Sequence, residues 1–243
     1  MQVTRNTTGW ITGEGEAVHI PDGFISAPTA LATGAVSAGA VAYALKMGRE
    51  RLEDRQVPLV GVTAAFVFAV QMLNFPVGLG TSGHLVGGAL AAILLGPWMA
   101  CLVLAVVLLV QAIGFADGGI TALGANIALM GVVAGIGGST LFRALIAALP
   151  RSRGGFLTAT AITSWLTVMV ASVVCTLFIT YGGVFGGDQI GTVLLTMVGL
   201  HALIGAGEAL ITVAAVAAVT AARPDLMVNG DPLRPVTGRM VSV

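Results

Sequence analysis

The chain alternates long apolar runs with short polar interruptions. The runs Phe24–Met47, Val57–Phe75, 85–115, 121–148, Phe156–Tyr181 and Ile190–Ala222 are each 19 or more residues long. An α-helix of about 20 apolar residues crosses a hydrocarbon layer of ~30 Å, so each run predicts at least one membrane-spanning helix. Between them lie a dense charge run at Lys46–Gln56, a turn-rich loop Gly78-Leu79-Gly80-Thr81-Ser82-Gly83 leading into His84, a break at Asp117-Gly118-Gly119, Pro150 with nearby arginines, and a turn at Gly182–Gly187. The two ends are different. Residues 1–17 are polar, Gly/Thr-rich and without an apolar core, so they do not form a signal peptide. Residues 223–243 carry Pro224, Pro232 and Pro235 and are expected to be a disordered cytoplasmic tail. The central domain is therefore 18–222, flanked by an extension at 1–17 and the tail.

The run 85–115 decides the topology, because Gly96-Pro97-Trp98 interrupts it. Lys and Arg concentrate on the cytoplasmic side of membrane proteins. If the chain turns at Gly96-Pro97 there are seven spans, with the N-terminus outside and the C-terminus inside. Lys46, Arg49, Arg51, Arg55, Arg143, Arg151, Arg153, Arg223, Arg234 and Arg239 then all lie inside, and only Arg5 lies outside. A single helix over 85–115 would place the basic clusters at 46–55 and 143–153 on opposite sides. The charge pattern favours the hairpin, whose first half is too short to cross alone. Loop 78–84 is therefore expected to dip into the protein, in a cavity open to the outer face.

Composition agrees with an all-α polytopic membrane protein: 56% of residues are hydrophobic and 9% charged, against roughly 25% charged in soluble domains. Eleven basic and eleven acidic side chains leave no net charge, so there is no basic face for a nucleic acid. The 34 glycines suit close helix–helix approach, and Gly83…Gly87 and Gly131…Gly135 have the spacing for it. Cys101 and Cys175 lie in apolar runs and are expected as buried free thiols.

Polar residues inside spans are expensive and point to function. Here they are Gln71, Asn74, Gln111, Asn126, His201 and Glu208. Gln111 and Asn126 are expected as interhelical hydrogen bonds. His201 and Glu208 lie seven apart on one helix face and could either contact a partner subunit or pack internally. His19 and His84 both fall at the outer face, and two imidazoles there suit a soft or borderline metal.

Four ordered motifs sharpen this: His19-Ile20-Pro21-Asp22-Gly23-Phe24; Phe75-Pro76 through Thr81-Ser82-Gly83-His84-Leu85-Val86-Gly87-Gly88-Ala89-Leu90; Asp117-Gly118-Gly119-Ile120-Thr121-Ala122-Leu123-Gly124-Ala125-Asn126; and His201-Ala202-Leu203-Ile204-Gly205 through Glu208. Over about 18–222 the chain resembles the CbiM/NikM family, the substrate-capture components of energy-coupling-factor (ECF) cobalt and nickel transporters. The resemblance implies that a free amino terminus, the backbone nitrogen and imidazole of the second residue, and a later histidine bind Co2+ or Ni2+. Carried over, these are Val18, His19 and His84. Such an X-His unit gives fused chelate rings in one plane, and a second imidazole completes four nitrogens. Metal must displace protons from them, so capture should weaken at low pH.

The chain departs from the family pattern in having Val18 where the family starts with Met, with 17 residues before it. A GTG start codon reads as Val internally and as Met when it initiates. The expectation is therefore that translation begins at position 18, giving a working protein of 226 residues (243 minus 17), with proteolytic trimming as the lesser route. Asp22 could either orient His19 or cap the helix from Phe24. Thr81 and Ser82 either satisfy loop amides or support the ligand shell.

The resemblance also implies separate partner chains: a CbiQ/NikQ-like coupling subunit, CbiO/NikO-like ATPases and a small CbiN/NikN-like membrane subunit, in a bacterial cytoplasmic membrane. Cobalt is placed ahead of nickel by likeness to the CbiM branch. Two rival readings are a rhomboid-like intramembrane serine protease using Ser82 and His201, and a stand-alone secondary metal transporter. Only one full span precedes Ser82 where the protease would need three, and no internal repeat supports the transporter. No resident cofactor is expected.

Overall fold

The computed structural model describes residues 19–78, 81–183 and 190–227, with the backbone alone for 74–78, 81 and 82. These residues form seven helices: α1 (Ala27–Arg51), α2 (Val57–Gln71), α3 (Gly88–Leu95), α4 (Pro97–Gly114), α5 (Leu123–Ala148), α6 (Arg153–Tyr181) and α7 (Ile190–Ala222). One antiparallel hairpin, β1 (Asn74–Gly78) and β2 (Thr81–His84), joins α2 to α3. Among the described residues, α1, α4, α5, α6 and α7 are long and apolar enough to cross a membrane. The architecture is all-α and polytopic, as the apolar runs predict.

The chain does turn within 85–115. Gly96 ends α3 at φ 80°, ψ 175°, a conformation that a side chain would oppose. Pro97 then opens α4, where its missing N–H costs no intrahelical bond. Ala91 and Ala92 pack against Ala100 across the turn. With eight residues, all buried, α3 rises only ~12 Å. It is preceded by the β-hairpin, which pairs Asn74 with His84 and Phe75 with Gly83. Non-helical backbone at membrane depth must be satisfied and covered by protein. The ladder pairs part of it, and residues 83–87, which lead from the hairpin into α3, are buried.

Two details differ from the sequence reading. First, α2 stops at Gln71 instead of running to Phe75, and the expected loop is a strand pair. Pro76 lacks a donor and disfavours helix at Phe75, so the last apolar residues of that run go extended. Second, Gly83…Gly87 is not a helix-packing motif: Gly83 lies in β2 and Gly87 caps α3. Gly131…Gly135 does serve that purpose. A Cβ at Gly131 would lie 3.4 Å from Cys101 Sγ, and one at Gly135 3.5 Å from Ala100 Cβ, so α5 and α4 touch nearly backbone to backbone. This contact lies in a π-helical stretch of α5, Ala128–Gly137. Cys101 and Cys175 are free thiols.

The bundle has two distinct ends. At one, the α1–α2 link reaches the segment after α7 through a Gln56 Nε2 hydrogen bond to the Leu226 carbonyl at 3.4 Å. Here the folded part runs past residue 222. A turn at Pro224–Leu226 brings Leu226 and Met227 into the core, and Asp225 grips Arg223 by two 3.0 Å bonds. These two apolar residues gain by burial what a polar tail would not. Val18, the extension 1–17 and the tail from 228 lie outside the described residues. At the opposite end, the Ser26 N–H donates to the Gly182 carbonyl at 2.6 Å and Ile25 bridges Gly183, tying the start of α1 to the end of α6. His19 lies at this end, away from Arg49, Arg51, Arg55 and Arg223.

Candidate metal centre

His19 opens the described chain and is buried, 4% exposed. The segment after it is fastened by main-chain bonds. The Ile20 N–H donates to Asn126 Oδ1 at 3.1 Å, while Asn126 Nδ2 donates back to the Ile20 carbonyl at 3.2 Å. The Gly119 N–H donates to the same carbonyl at 3.0 Å. This close passage explains the paired glycines. A Cβ at Gly118 (φ +90°) would sit 2.9 Å from His19 Cβ, and one at Gly119 would collide with the Asp22 backbone.

The hydrogen bonds fix each imidazole tautomer. Gln111 Oε1 lies 3.0 Å from His19 Nε2, and Gln111 Nε2 faces Met72 Sδ at 3.9 Å, which turns the amide oxygen toward the ring. His19 Nε2 therefore carries the proton. Its Nδ1 is buried and has no hydrogen-bond partner among the described residues, which leaves a lone pair available. His84 Nδ1 lies 2.8 Å from the Leu85 carbonyl and must donate to it, leaving Nε2 as the acceptor atom. The two rings meet edge to face with centroids 4.5 Å apart. Asp117 Oδ2 approaches His19 Nε2 at 4.0 Å.

Burial, opposed by the Gln111 hydrogen bond, lowers the His19 pKa to about 4. Burial, reinforced by His19, lowers that of His84 to about 3. Both rings are neutral at pH 7, the state in which imidazole binds metal.

A cavity of about 60 Å³ lies beside the two rings. His201 lines it from α7, with Ser172 and Cys175 from α6. His201 Nδ1 donates to the Met197 carbonyl at 2.7 Å, so its Nε2 is again the acceptor. Two turns along α7, Glu208 accepts the Val86 and Gly87 N–H groups at 2.5 and 3.0 Å. Its carboxyl group thus holds the segment just before α3, near the positive end of the helix dipole. Gln71 Nε2 holds the Val86 carbonyl at 2.7 Å. Glu208 therefore packs internally and fixes the segment that carries His84.

The structure brings together His19 and His84, as the motifs imply. It corrects the reading of Asp22. That carboxylate is exposed and accepts the Thr121 N–H and hydroxyl at 2.7 and 2.5 Å, and the Thr121 hydroxyl first of all holds its pKa down. It orients neither His19 nor the start of α1; it pins the 117–123 loop. Asp117 is the carboxylate beside His19 instead. Val18 and the side chains of Thr81 and Ser82 lie outside the described residues. Gln111 and Asn126, expected as interhelical bonds, serve the His19 segment. Their position in spans marked them as costly polar groups, but nothing local in the sequence pairs them with a partner about 100 residues away.

A polytopic helical bundle with two neutral imidazoles beside a small cavity has donors of the kind that borderline metal ions take. The chain belongs to the CbiM family, the cobalt uptake substrate-specific transmembrane region, whose model matches residues 19–226. It is 40% identical over 210 residues to a Haloquadratum walsbyi protein named as a metal transport protein, covering 86% of this chain and 93% of that one. It is likewise 40% identical over 212 residues to an Archaeoglobus fulgidus protein named as a fused nickel transport protein, covering 86% and 68%. A crystal structure of a truncated transition metal transporter superposes with a TM-score of 0.76 at 28% identity, covering 84% of this chain and 99% of that one. The chain is thus a multi-pass protein of the cobalt and nickel transport family and not an enzyme, which removes the protease alternative.

Proposed function

We propose that this chain is the substrate-capture component of an ATP-driven Co2+/Ni2+ uptake system in a bacterial cytoplasmic membrane. It would bind the ion at the outer face through the Val18 amine, the His19 backbone nitrogen, His19 Nδ1 and His84 Nε2. The observation that carries the reading is the buried Nδ1 of His19, which has no partner among the described residues. It is the ring nitrogen that closes a chelate with its own backbone nitrogen, and Gln111 holds the proton on the other one. Leaving such an atom unpaired costs about 1–3 kcal/mol unless a ligand meets it. Among the described residues, no three His, Cys, Asp or Glu side chains converge on a point that would hold an ion. The reading therefore draws half of its donors from the main chain.

This coordination requires a free amine at position 18, by an internal start or by trimming. The family match from residue 19 supports a functional unit that begins at that point. The concentration of basic residues at the end away from His19 supports an outward-facing site. Energy would come from separate ATPase and coupling subunits of the CbiO/NikO and CbiQ/NikQ kinds, with a small CbiN/NikN-like subunit. Cobalt is preferred because the matching family model describes cobalt uptake.

The test is intact mass of the protein from its native host, followed by metal titration. A chain beginning at position 18 should bind Co2+ or Ni2+ tightly, and His19→Ala or His84→Ala should each abolish high-affinity capture. A transporting chain that retains Met1–Ala17 would falsify the amine ligand. Uptake by this chain expressed without partners would support the stand-alone alternative instead.

A further inference from the structure

We propose that Met72 is an oxidation site, and that a peroxide converting its thioether to the sulfoxide locks Gln111 in the orientation that leaves His19 ready for metal. The effect on capture rests on the reading above; the oxidation site itself uses described residues alone.

Two glutamine amides in this protein face a thioether. Gln71 Nε2 lies 3.7 Å from Met130 Sδ, and Gln111 Nε2 lies 3.9 Å from Met72 Sδ. The two methionines differ in access: Met130 is 5% exposed and Met72 is 41% exposed. Among the described methionines, Met72 alone stands open at the surface. It caps the end of α2 that leads into the hairpin carrying His84, at the same end of the bundle as His19. Thioether oxidation follows access to the sulfur, so Met72 reacts first.

The step is a two-electron oxygen transfer. A sulfur lone pair attacks a peroxide oxygen, and the O–O bond breaks as the S–O bond forms. Sulfur is oxidised. The departing oxygen takes the proton of the transferred one and leaves as water when the peroxide is hydrogen peroxide.

The product changes what Gln111 meets. A thioether is a weak acceptor, whereas the sulfoxide is polar and carries an oxygen. The 3.9 Å between sulfur and nitrogen leaves room for a bent S–O···H–N contact with an N···O distance of ~2.9 Å. An amide can present either its NH2 or its oxygen to this position. With the NH2 there, Oε1 accepts from His19 Nε2 and the ring keeps Nδ1 bare. The flipped amide would donate to His19 Nε2 and push the ring proton onto Nδ1. It would also set Oε1 against the sulfoxide oxygen, two acceptors in contact. Sulfur opposes that flip weakly and the sulfoxide opposes it strongly. Met72 thus acts through Gln111 as a positioning residue.

The experiment treats the purified, metal-free chain, with the N-terminus it carries in its native host, with hydrogen peroxide, removed before metal is added. Peptide mass mapping should find one added oxygen on Met72 before any on Met130 or Met197. The Gln111 side-chain amide protons, followed by nitrogen-15 NMR, should move downfield and exchange more slowly. Ni2+ binding should tighten roughly twofold to fivefold, the worth of one added hydrogen bond. Methionine sulfoxide reductases should reverse all three, which tests the unsubstituted protein without relying on a variant to fold. Met72→Leu should lose the response to peroxide, whatever its own starting affinity. Oxidation of Met130 as early as Met72, an unmoved Gln111 resonance, an unchanged Ni2+ affinity, or a response that persists in Met72→Leu would overturn the inference. A chain that binds no Ni2+ before or after treatment would instead bring down the capture reading, while mass and NMR still decide the oxidation site.

Discussion

An imidazole serves as a ligand only when the right nitrogen is bare and the ring is held still. In the proposed site Gln111 would set this for His19 and the Leu85 carbonyl for His84. Partners that orient a ligand in this way typically contribute 10–100-fold to metal affinity. Gln111→Leu is therefore expected to weaken Co2+ or Ni2+ binding by about that factor without unfolding the chain, measured by metal titration beside a thermal melt. Gln111→Glu, which still accepts from Nε2–H, should restore most of the affinity. The two histidines were legible from their motifs and their shared side of the membrane. The carboxylate was not: Asp22 follows His19 by three residues, yet turns away to Thr121, while Asp117 arrives from a distant loop. Proximity in sequence misled because the chain after His19 is pinned through its backbone, which side-chain identity does not reveal.

Among the elements, α3 is the unusual one. It is too short to span and fully buried, so the chain that leads into it has buried main-chain N–H groups to satisfy. Glu208 from α7 meets the Val86 and Gly87 N–H groups just before it. Glu208→Ala would leave two buried donors unpaired at about 1–3 kcal/mol each. The expected result is a clear fall in thermal stability in detergent and loss of the His84 position, while Glu208→Gln retains part of both. The break at Gly96-Pro97 was readable, because Gly followed by Pro both ends and restarts a helix and the charge count demanded a turn. The strand pair was not, since Asn74–Gly78 continues an apolar run and only Pro76 signals the change. The pairing of Glu208 with α3 was equally hidden: a seven-residue spacing places His201 and Glu208 on one face but does not say what that face meets.

For the molecule as a whole, burial of His19 and His84 links folding to pH. Their pKa values fall from 6.5 to about 4 and about 3. Between those values and 6.5 the unfolded chain binds more protons than the folded one. The stabilising effect of neutral burial is thus complete above pH 6.5 and is lost as pH falls toward about 4. The metal-free chain should melt at progressively lower temperature from pH 7 to pH 4.5, and a His19→Gln, His84→Gln variant should show a flatter profile. A slope that persists unchanged in that variant would assign the effect to other groups.

The fastening of the first residues also sets an order of assembly. His19 bonds Gln111 and Ile20 bonds Asn126, 92 and 106 residues later, and Ser26 bonds Gly182. Because synthesis runs from the N-terminus, the first segment made finds its partners only after α4, α5 and α6 exist. A contact so distant in sequence forms late and pays a large loop-closure cost. The segment that carries His19 is therefore expected to close late, and an incompletely inserted chain would lack the proposed capture site.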